Sequence, residues 1–157
     1  MLNRTRTLLL AVVVCLPTLA HAENGLLTIE SAHTGPHTVA RLDAAIEERG
    51  FVVFAHLDHA GAADAAGLEM PFSTVVVFGN PKLGTPGFIQ TPELAIDLPL
   101  KALVWENADG DVYLSYNSSS YMFETIYVRH GQPYPPEMVE RLEAGLANMM
   151  GSAAGAD

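Results

Sequence analysis

The sequence has 157 residues, of which 49% are hydrophobic, and its 18 acidic and 8 basic side chains give a formal net charge of −10. This length predicts one domain of ordinary size. Because the acidic surface repels phosphate backbones and anionic lipid headgroups, we expect no nucleic-acid partner.

The first 22 residues have the pattern of a secretory signal peptide. Arg4 and Arg6 make a basic start, residues 8–16 form an apolar stretch too short to span a bilayer, and Ala20-His21-Ala22 fits a cleavage site. We therefore expect a periplasmic or secreted protein with no stable membrane insertion after cleavage. The alternative is a leader that stays uncleaved as an N-terminal anchor.

Cleavage after Ala22 would leave residues 23–157 as a single mature domain without cysteine, because Cys15 lies in the leader. A mature chain of this kind can hold no disulfide, cysteine nucleophile, cysteine-ligated zinc or iron–sulfur cluster. The hydrophobic core must then stabilise the domain without covalent cross-links.

The first half of the mature chain alternates strand and helix patterns. Val39, Leu42 and Ile46 recur at helical spacing, and Gly50 is expected to end that helix as a left-handed cap. The alanine-rich stretch at 62–66 predicts a short second helix. Apolar runs predict three strands, at residues 26–31, 51–57 and 74–78.

The second half begins with a loop-like region at 79–97. Two further strands, 100–106 and 112–116, flank the turn signal Asn107-Ala108-Asp109-Gly110 and predict a hairpin. Residues 119–130 fit either a helix or a strand, and their length together with the following glycine favours the helix.

The last element is an amphipathic helix that begins at Pro135-Pro136. Its apolar stripe consists of Val139, Leu142, Leu146 and Met149. Together the elements indicate an α+β fold: a single small domain with a mostly antiparallel sheet and helices packed on one face.

Six spaced fragments distinguish the chain, namely Asp58-His59-Ala60, Gly67-Leu68-Glu69-Met70-Pro71, Phe78-Gly79-Asn80-Pro81-Lys82, Gly84-Thr85-Pro86, Leu98-Pro99-Leu100 and Trp105-Glu106. Together they resemble the family called domain of unknown function 302. The resemblance covers about residues 26–150 and implies a small α+β domain that pairs into a homodimer, with Asp58-His59 as a hallmark. It implies no activity, because none is assigned to the family.

His59 is the first candidate for chemistry. Strand alternation over residues 51–59 predicts that it shares an apolar face with Leu57, whereas His56 and Asp58 face the other way. The positive end of the helix that follows would keep the imidazole neutral, fit to bind a metal or to accept a proton. Asp58 fits the N-cap of that helix better than a catalytic acid. The competing interpretation of His59 is a hydrogen-bonded core histidine.

Four further residues are candidates for a ligand pocket. Gly79 and Asn80 follow a buried strand, where sheets often place binding sites, and Gly79 permits close backbone approach. We expect Asn80 to cap the turn that Pro81 opens, with a ligand contact as the alternative. Trp105 and Tyr116 lie on the paired strands and could be cross-strand neighbours, although packing is the default role of both.

Three functions remain open. The first is an exported dimeric binding module whose pocket holds a small apolar or metal-bearing ligand. The second is a small hydrolase- or isomerase-like enzyme that uses His59 as base or metal ligand, which the scarcity of titratable groups in the apolar segments disfavours. The third is a structural or partner-binding subunit, and no particular cofactor is indicated. In the first hypothesis the pocket is lined by His59, Asp58, Gly79, Asn80, Trp105 and Tyr116.

Overall fold

The structure is a computed structural model that describes residues 20–21 and 24–156. Most of the predicted signal peptide, and the cleavage site after Ala22, lie outside the described residues. A five-stranded antiparallel sheet runs in the order β2-β6-β5-β4-β3, and the two-residue β1 pairs with the free edge of β2. The strands are β1 (Ala20–His21), β2 (Leu26–Glu30), β3 (Val52–Asp58), β4 (Ser73–Gly79), β5 (Leu100–Glu106) and β6 (Val112–Asn117).

Within residues 24–156, four helices lie between strands and two follow the last strand. The prediction of a loop-like region at 79–97 is wrong, because two helices occupy most of it. Gly50, at φ +73°, ends the first helix in the left-handed conformation. None of the helices within residues 24–156 has the length and apolar content that a bilayer crossing requires. The helices are α1 (Gly35–Glu48), α2 (His59–Ala65), α3 (Pro81–Gln90), a 3-10 helix (Pro92–Ile96), a π-helix (Tyr121–Tyr127) and α4 (Glu137–Ala154).

The core lies between one face of the sheet and the helices α1 and α4, which pack against each other. α1 contributes Leu42 and Ile46, both 0% exposed, at the helical spacing that the sequence predicts. Burying one such side chain contributes about 1.5–3 kcal/mol. The predicted α+β fold with helices on one face is confirmed. The sheet side of the core includes Leu27, Val76, Phe78, Val104 and Leu114.

The opposite face of the sheet has no helix over it in the part of the chain that the structure describes. Polar and apolar side chains alternate across it, with Thr28 bonded to Ser115 at 2.8 Å between the two hydroxyl oxygens. The Trp105 indole donates to the Ser115 Oγ at 2.9 Å. We call this surface the open face, and a shallow groove on it is lined by Leu26, Thr28, Val75, Leu103, Trp105 and Ser115, among others.

A β-bulge in β3 makes the predicted assignment of residues 55–58 to the two sheet faces wrong. Val53 pairs with Phe78, but Ala55 pairs with Val77, so Phe54 is an extra residue between the two pairs. Side chains beyond the bulge are therefore reversed. His56 lies on the helix side, where its Nε2 is 3.0 Å from the Asp43 Oδ1 of α1.

A polar cluster interrupts the core where β6 meets α4. The backbone N–H and the Oγ of Ser119 both lie 2.7 Å from the Glu143 Oε2. Tyr116 is 3% exposed, and its hydroxyl finds no hydrogen-bond partner among the described residues. Burial, with a smaller contribution from the Glu143 carboxylate, raises the pKa of Tyr116 to about 12.

Tyr116→Phe is expected to raise the free energy of unfolding by about 1 kcal/mol at pH 7, because it removes a buried hydroxyl that has no partner. The raised pKa adds a pH dependence. The contribution of the neutral phenol is complete below the ordinary value of 10.0 and falls as the pH rises towards 12. The variant should therefore lose less stability than the parent between pH 9 and 11. Urea unfolding of the parent and the variant at pH 7, 9 and 11 tests this. A variant that is less stable than the parent at pH 7 would mean that the Tyr116 hydroxyl has a hydrogen-bond partner.

Candidate functional site

A small apolar cavity lies at the end of β4, where the strand passes into α3. Its volume is about 160 Å³. The sheet and the loop before β5 form one wall, α3 forms the second, and the π-helix with the start of α4 forms the third. The main lining residues are Phe51, Phe54, Gly79, Asn80, Leu83, Phe88, Pro99, Met122, Phe123, Tyr127, Met138 and Leu142.

Gly79 allows the sheet wall to close. A Cβ at this position would lie 3.1 Å from the Phe54 Cε2 and 3.2 Å from the Pro99 Cβ, which is tighter than ordinary contact. Phe54 is the bulged residue of β3, so the bulge turns its ring towards the cavity. The close approach predicted at Gly79 is therefore made by the side chains of Phe54 and Pro99, which belong to the same cavity.

Asn80 has the capping role that the sequence favours. Its Oδ1 accepts from the Lys82 N–H at 3.0 Å, and Pro81 occupies the first turn of α3. Its Nδ2 donates to the Gly50 carbonyl oxygen at 3.3 Å. Both ends of the amide are hydrogen-bonded within the protein, so Asn80 would contact a ligand mainly through van der Waals packing.

Aromatic rings form the third wall. Phe123 packs edge-on against Tyr127, with ring centroids 4.9 Å apart, and lies 5.0 Å from the ring of Tyr134. Burial raises the pKa of Tyr127 above its ordinary value. Met122, Phe123 and Tyr127 belong to the π-helix. This helix type is rare in proteins, and where it occurs it is often found at a functional site. The wall can therefore pack aromatic surface against an apolar molecule.

The structure separates the histidine of the predicted site from this cavity. Asp58 caps α2 by accepting from the Gly61 N–H at 2.9 Å, which is the structural role expected of it. His59 begins α2 and is exposed, so the prediction that it faces an apolar interior is wrong. Asp58 pairs with Thr74 at the far end of β4, which places His59 about 20 Å from Gly79.

The predicted pairing of Trp105 with Tyr116 is also wrong. Trp105 lies opposite Tyr113, with stacked rings 4.9 Å apart, and Tyr116 lies opposite Ala102. Because strand neighbours alternate, Trp105 belongs to the open face and Tyr116 to the core. Of the six predicted site residues, Gly79 and Asn80 are thus the two that line the cavity.

A metal centre has little support in the described residues. They contain no group of three or more His, Cys, Asp or Glu side chains placed to hold one ion. The cavity contributes two thioether sulfurs, those of Met122 and Met138, as soft donors. The arrangement as a whole suits burial of apolar surface rather than acid–base chemistry.

Sequence reasoning missed most of the cavity wall. Phe88, Met122, Phe123 and Tyr127 lie in segments that showed no clear period, and Met138 precedes the predicted stripe of α4. The dense aromatic content of residues 121–134 was the available signal, since four of these fourteen residues are aromatic.

Two curated proteins resemble part of the chain. Both are named fluoride-specific ion channel FluC 1, one from Brucella suis biovar 1 (strain 1330) and one from Brucella abortus biovar 1 (strain 9-941), and each is 36% identical over 100 residues. The match covers 64% of this chain, and 39% and 37% of the two channels respectively. The chain therefore matches well under half the length of these curated relatives.

The fold and the whole domain match more completely. The crystal structure of an uncharacterized conserved protein DUF302 from Bacillus stearothermophilus has a TM-score of 0.63 and 13% identity, over 84% of this chain and 97% of that chain. At this identity the likeness concerns the fold alone. The profile of the domain of unknown function DUF302 matches residues 27–152. The chain belongs to the DUF302 family.

Proposed function

We propose that the protein is an exported binding module that holds a small apolar molecule, about the size of a benzene ring, in the cavity beside Gly79 and Asn80. The observation that carries this proposal is an aromatic-walled cavity of about 160 Å³. An engineered, enclosed apolar cavity of about 150 Å³ in another protein stays dry and binds benzene or xenon. Export follows from the pattern of the first 22 residues and belongs to the proposal.

The chemistry of the lining favours an apolar ligand over a metal-bearing one. The volume of about 160 Å³ is too small for a macrocycle. The Asn80 amide is already bonded at both ends, so a ligand that needs several hydrogen bonds would leave them unmade at a cost of about 1–3 kcal/mol each. The enzyme alternative is less well supported, because His59 is exposed and distant from the cavity.

The proposed homodimer would use the open face. The residues that line its groove include one charged side chain, Lys101, and none of the 18 acidic side chains of the sequence. Interface cores are depleted in charge and rich in aromatic residues, and Trp105 provides the aromatic side chain here. The groove lining itself therefore carries no carboxylate that would repel a second copy, although Glu30 follows Thr28 on the same face of β2.

A partner-binding role is the second candidate. Proteins named as fluoride-specific ion channels contain a segment similar to this chain together with a longer remainder. A domain joined to a channel in those relatives could in this protein contact a separate partner, for which the open face is available. Copurification with a membrane protein and no ligand in the cavity would favour this role.

Met138→Trp is expected to weaken binding of benzene at least tenfold, about 1.4 kcal/mol, because the indole would occupy the cavity. Met138 is 37% exposed at the cavity edge, so the larger side chain can be accommodated without unfolding the core. Met70→Trp is the matched control, since Met70 is 44% exposed and does not line the cavity. Titration calorimetry on both variants measures the affinities, and equal binding by the two would contradict the proposed location.

Leu26→Glu is expected to convert a dimer into a monomer, because it places a carboxylate of each copy in the open-face groove. Leu26 is 40% exposed there, so the fold should tolerate the change. Leu68→Glu is the control, since Leu68 is 65% exposed in the loop before β4. Light scattering at micromolar concentration gives the masses. A monomeric wild type, or two variants that both stay dimeric, would count against this interface.

A further inference from the structure

We propose that residues 81–97, comprising α3 and the 3-10 helix, form a lid over the cavity, and that Asp97 holds this lid closed by binding His130 and Arg129. The inference rests on the proposed ligand site and adds its regulation. We call residues 81–97 the lid, and Asp97 with its two partners the latch. The lid controls how fast a ligand enters and leaves.

The lid buries fewer of its apolar side chains than the rest of the domain does. α3 has no buried residue, and Leu83, Ile89 and Ile96 are 70%, 78% and 76% exposed. Leu94, at 1% exposed, is its anchor. Pro86 lies inside α3 and cannot donate a helical hydrogen bond. Segments with few buried contacts open at lower free energy than the core does.

The lid nevertheless forms a whole wall of the cavity. It contributes Leu83, Gly84 and Phe88 to the cavity lining, to which the π-helix and α4 contribute aromatic rings and two methionine sulfurs. Leu98 and Pro99 follow it directly and line the cavity as well. Displacing the lid would therefore open the cavity while the sheet, α1 and α4 stay in place.

The latch joins the end of the lid to the segment after the π-helix. The His130 Nε2 lies 2.6 Å from the Asp97 Oδ2, and the Arg129 Nη1 lies 3.2 Å from each Asp97 carboxylate oxygen. The side chains of His130 and Asp97 are 8% and 22% exposed, so water competes weakly for this bond. Because a carboxylate only accepts, the Nε2 carries the proton and donates it. Such charge-assisted bonds are stronger than neutral ones.

A second bond reinforces the latch at the other end of the 3-10 helix. The Gln132 Nε2 donates to the Thr91 Oγ1, and Gln132 is buried. Thr91 joins α3 to the 3-10 helix. Residues 129–132, two to five positions after Tyr127, therefore hold the lid at two points.

The electrostatics of Asp97 keep the latch closed at neutral pH. The hydrogen bond from His130, with smaller effects of Arg129 and Lys101, lowers the pKa of Asp97 below 3.8 against an opposing effect of burial. Lys101 also donates to the Asp97 carbonyl oxygen at 3.2 Å. With a lowered pKa, the contribution of the carboxylate is complete above 3.8 and is lost as the pH falls through the lowered value.

The experiment compares Asp97→Asn with Asp43→Asn. Both aspartates bond a histidine, but the Asp43–His56 pair joins α1 to β3, and neither residue lines the cavity. The side chains of Asp43 and His56 are 30% and 42% exposed. We expect Asp97→Asn to raise the exchange rate of benzene, followed by NMR line shape, at least tenfold. Asp43→Asn should leave it within twofold. His130→Gln serves as the second latch variant if Asp97→Asn fails to fold.

Hydrogen exchange of the α3 amides gives a readout that needs no ligand. The latch variants should speed exchange at the α3 amides that bond within the helix at least tenfold and leave α1 unchanged. If benzene binds to no variant but α3 exchange accelerates, the proposed function fails while the lid stands. If α3 exchange in both latch variants matches the wild type, the lid proposal is overturned.

Discussion

The burial of a single face of the sheet is the constraint on which the rest of the structure depends. α1 and α4 pack on that face through side chains with no exposed surface, including Leu42, Ile46 and Met150. A domain without disulfides relies on such a core, and burial of this kind supplies most of its stability. The sheet register follows from it, because a one-residue shift of a strand would move its apolar side chains from the core face to the other face of the sheet.

Two surfaces follow from this one-sided arrangement. The face away from the helices stays open, and its groove combines apolar side chains with a hydroxyl network centred on Ser115. At the end of β4, α1 contributes no residue to the cavity lining, and α4 contributes only its first turns. The π-helix, α3 and the rings of Phe88 and Phe123 surround the remaining space, which becomes the cavity.

The sheet wall of the cavity and the proposed lid are held in place by different interactions. The sheet wall is set by backbone geometry, since Gly79 and the bulge at Phe54 bring β3 and the loop before β5 together. The proposed lid is held by polar bonds between partly buried groups, among them the Asp97–His130 and Thr91–Gln132 pairs. Polar bonds of this kind are easier to break selectively than a hydrophobic core, which suits a segment that has to move.

The periodic parts of the chain could be predicted from sequence. The stripe of α1, the hairpin at Asn107–Gly110 and the caps at Asp58 and Asn80 all depend on local chemistry, and each lies where its pattern predicts. The site could not be predicted equally well, because it depends on non-local geometry. Perfect alternation in β3 put His59 on an apolar face, but a bulge and the start of α2 intervene. The cavity itself is assembled from segments that are far apart in sequence.

Xenon binding in crystals of the protein tests the central claim most directly. Xenon occupies apolar cavities that are empty of ordered water, and it needs no hydrogen bond. The account predicts a xenon peak enclosed by Phe54, Phe88 and Phe123, with the lid closed over it. Ordered water in that space, or xenon bound in the open-face groove but absent from the cavity, would contradict it.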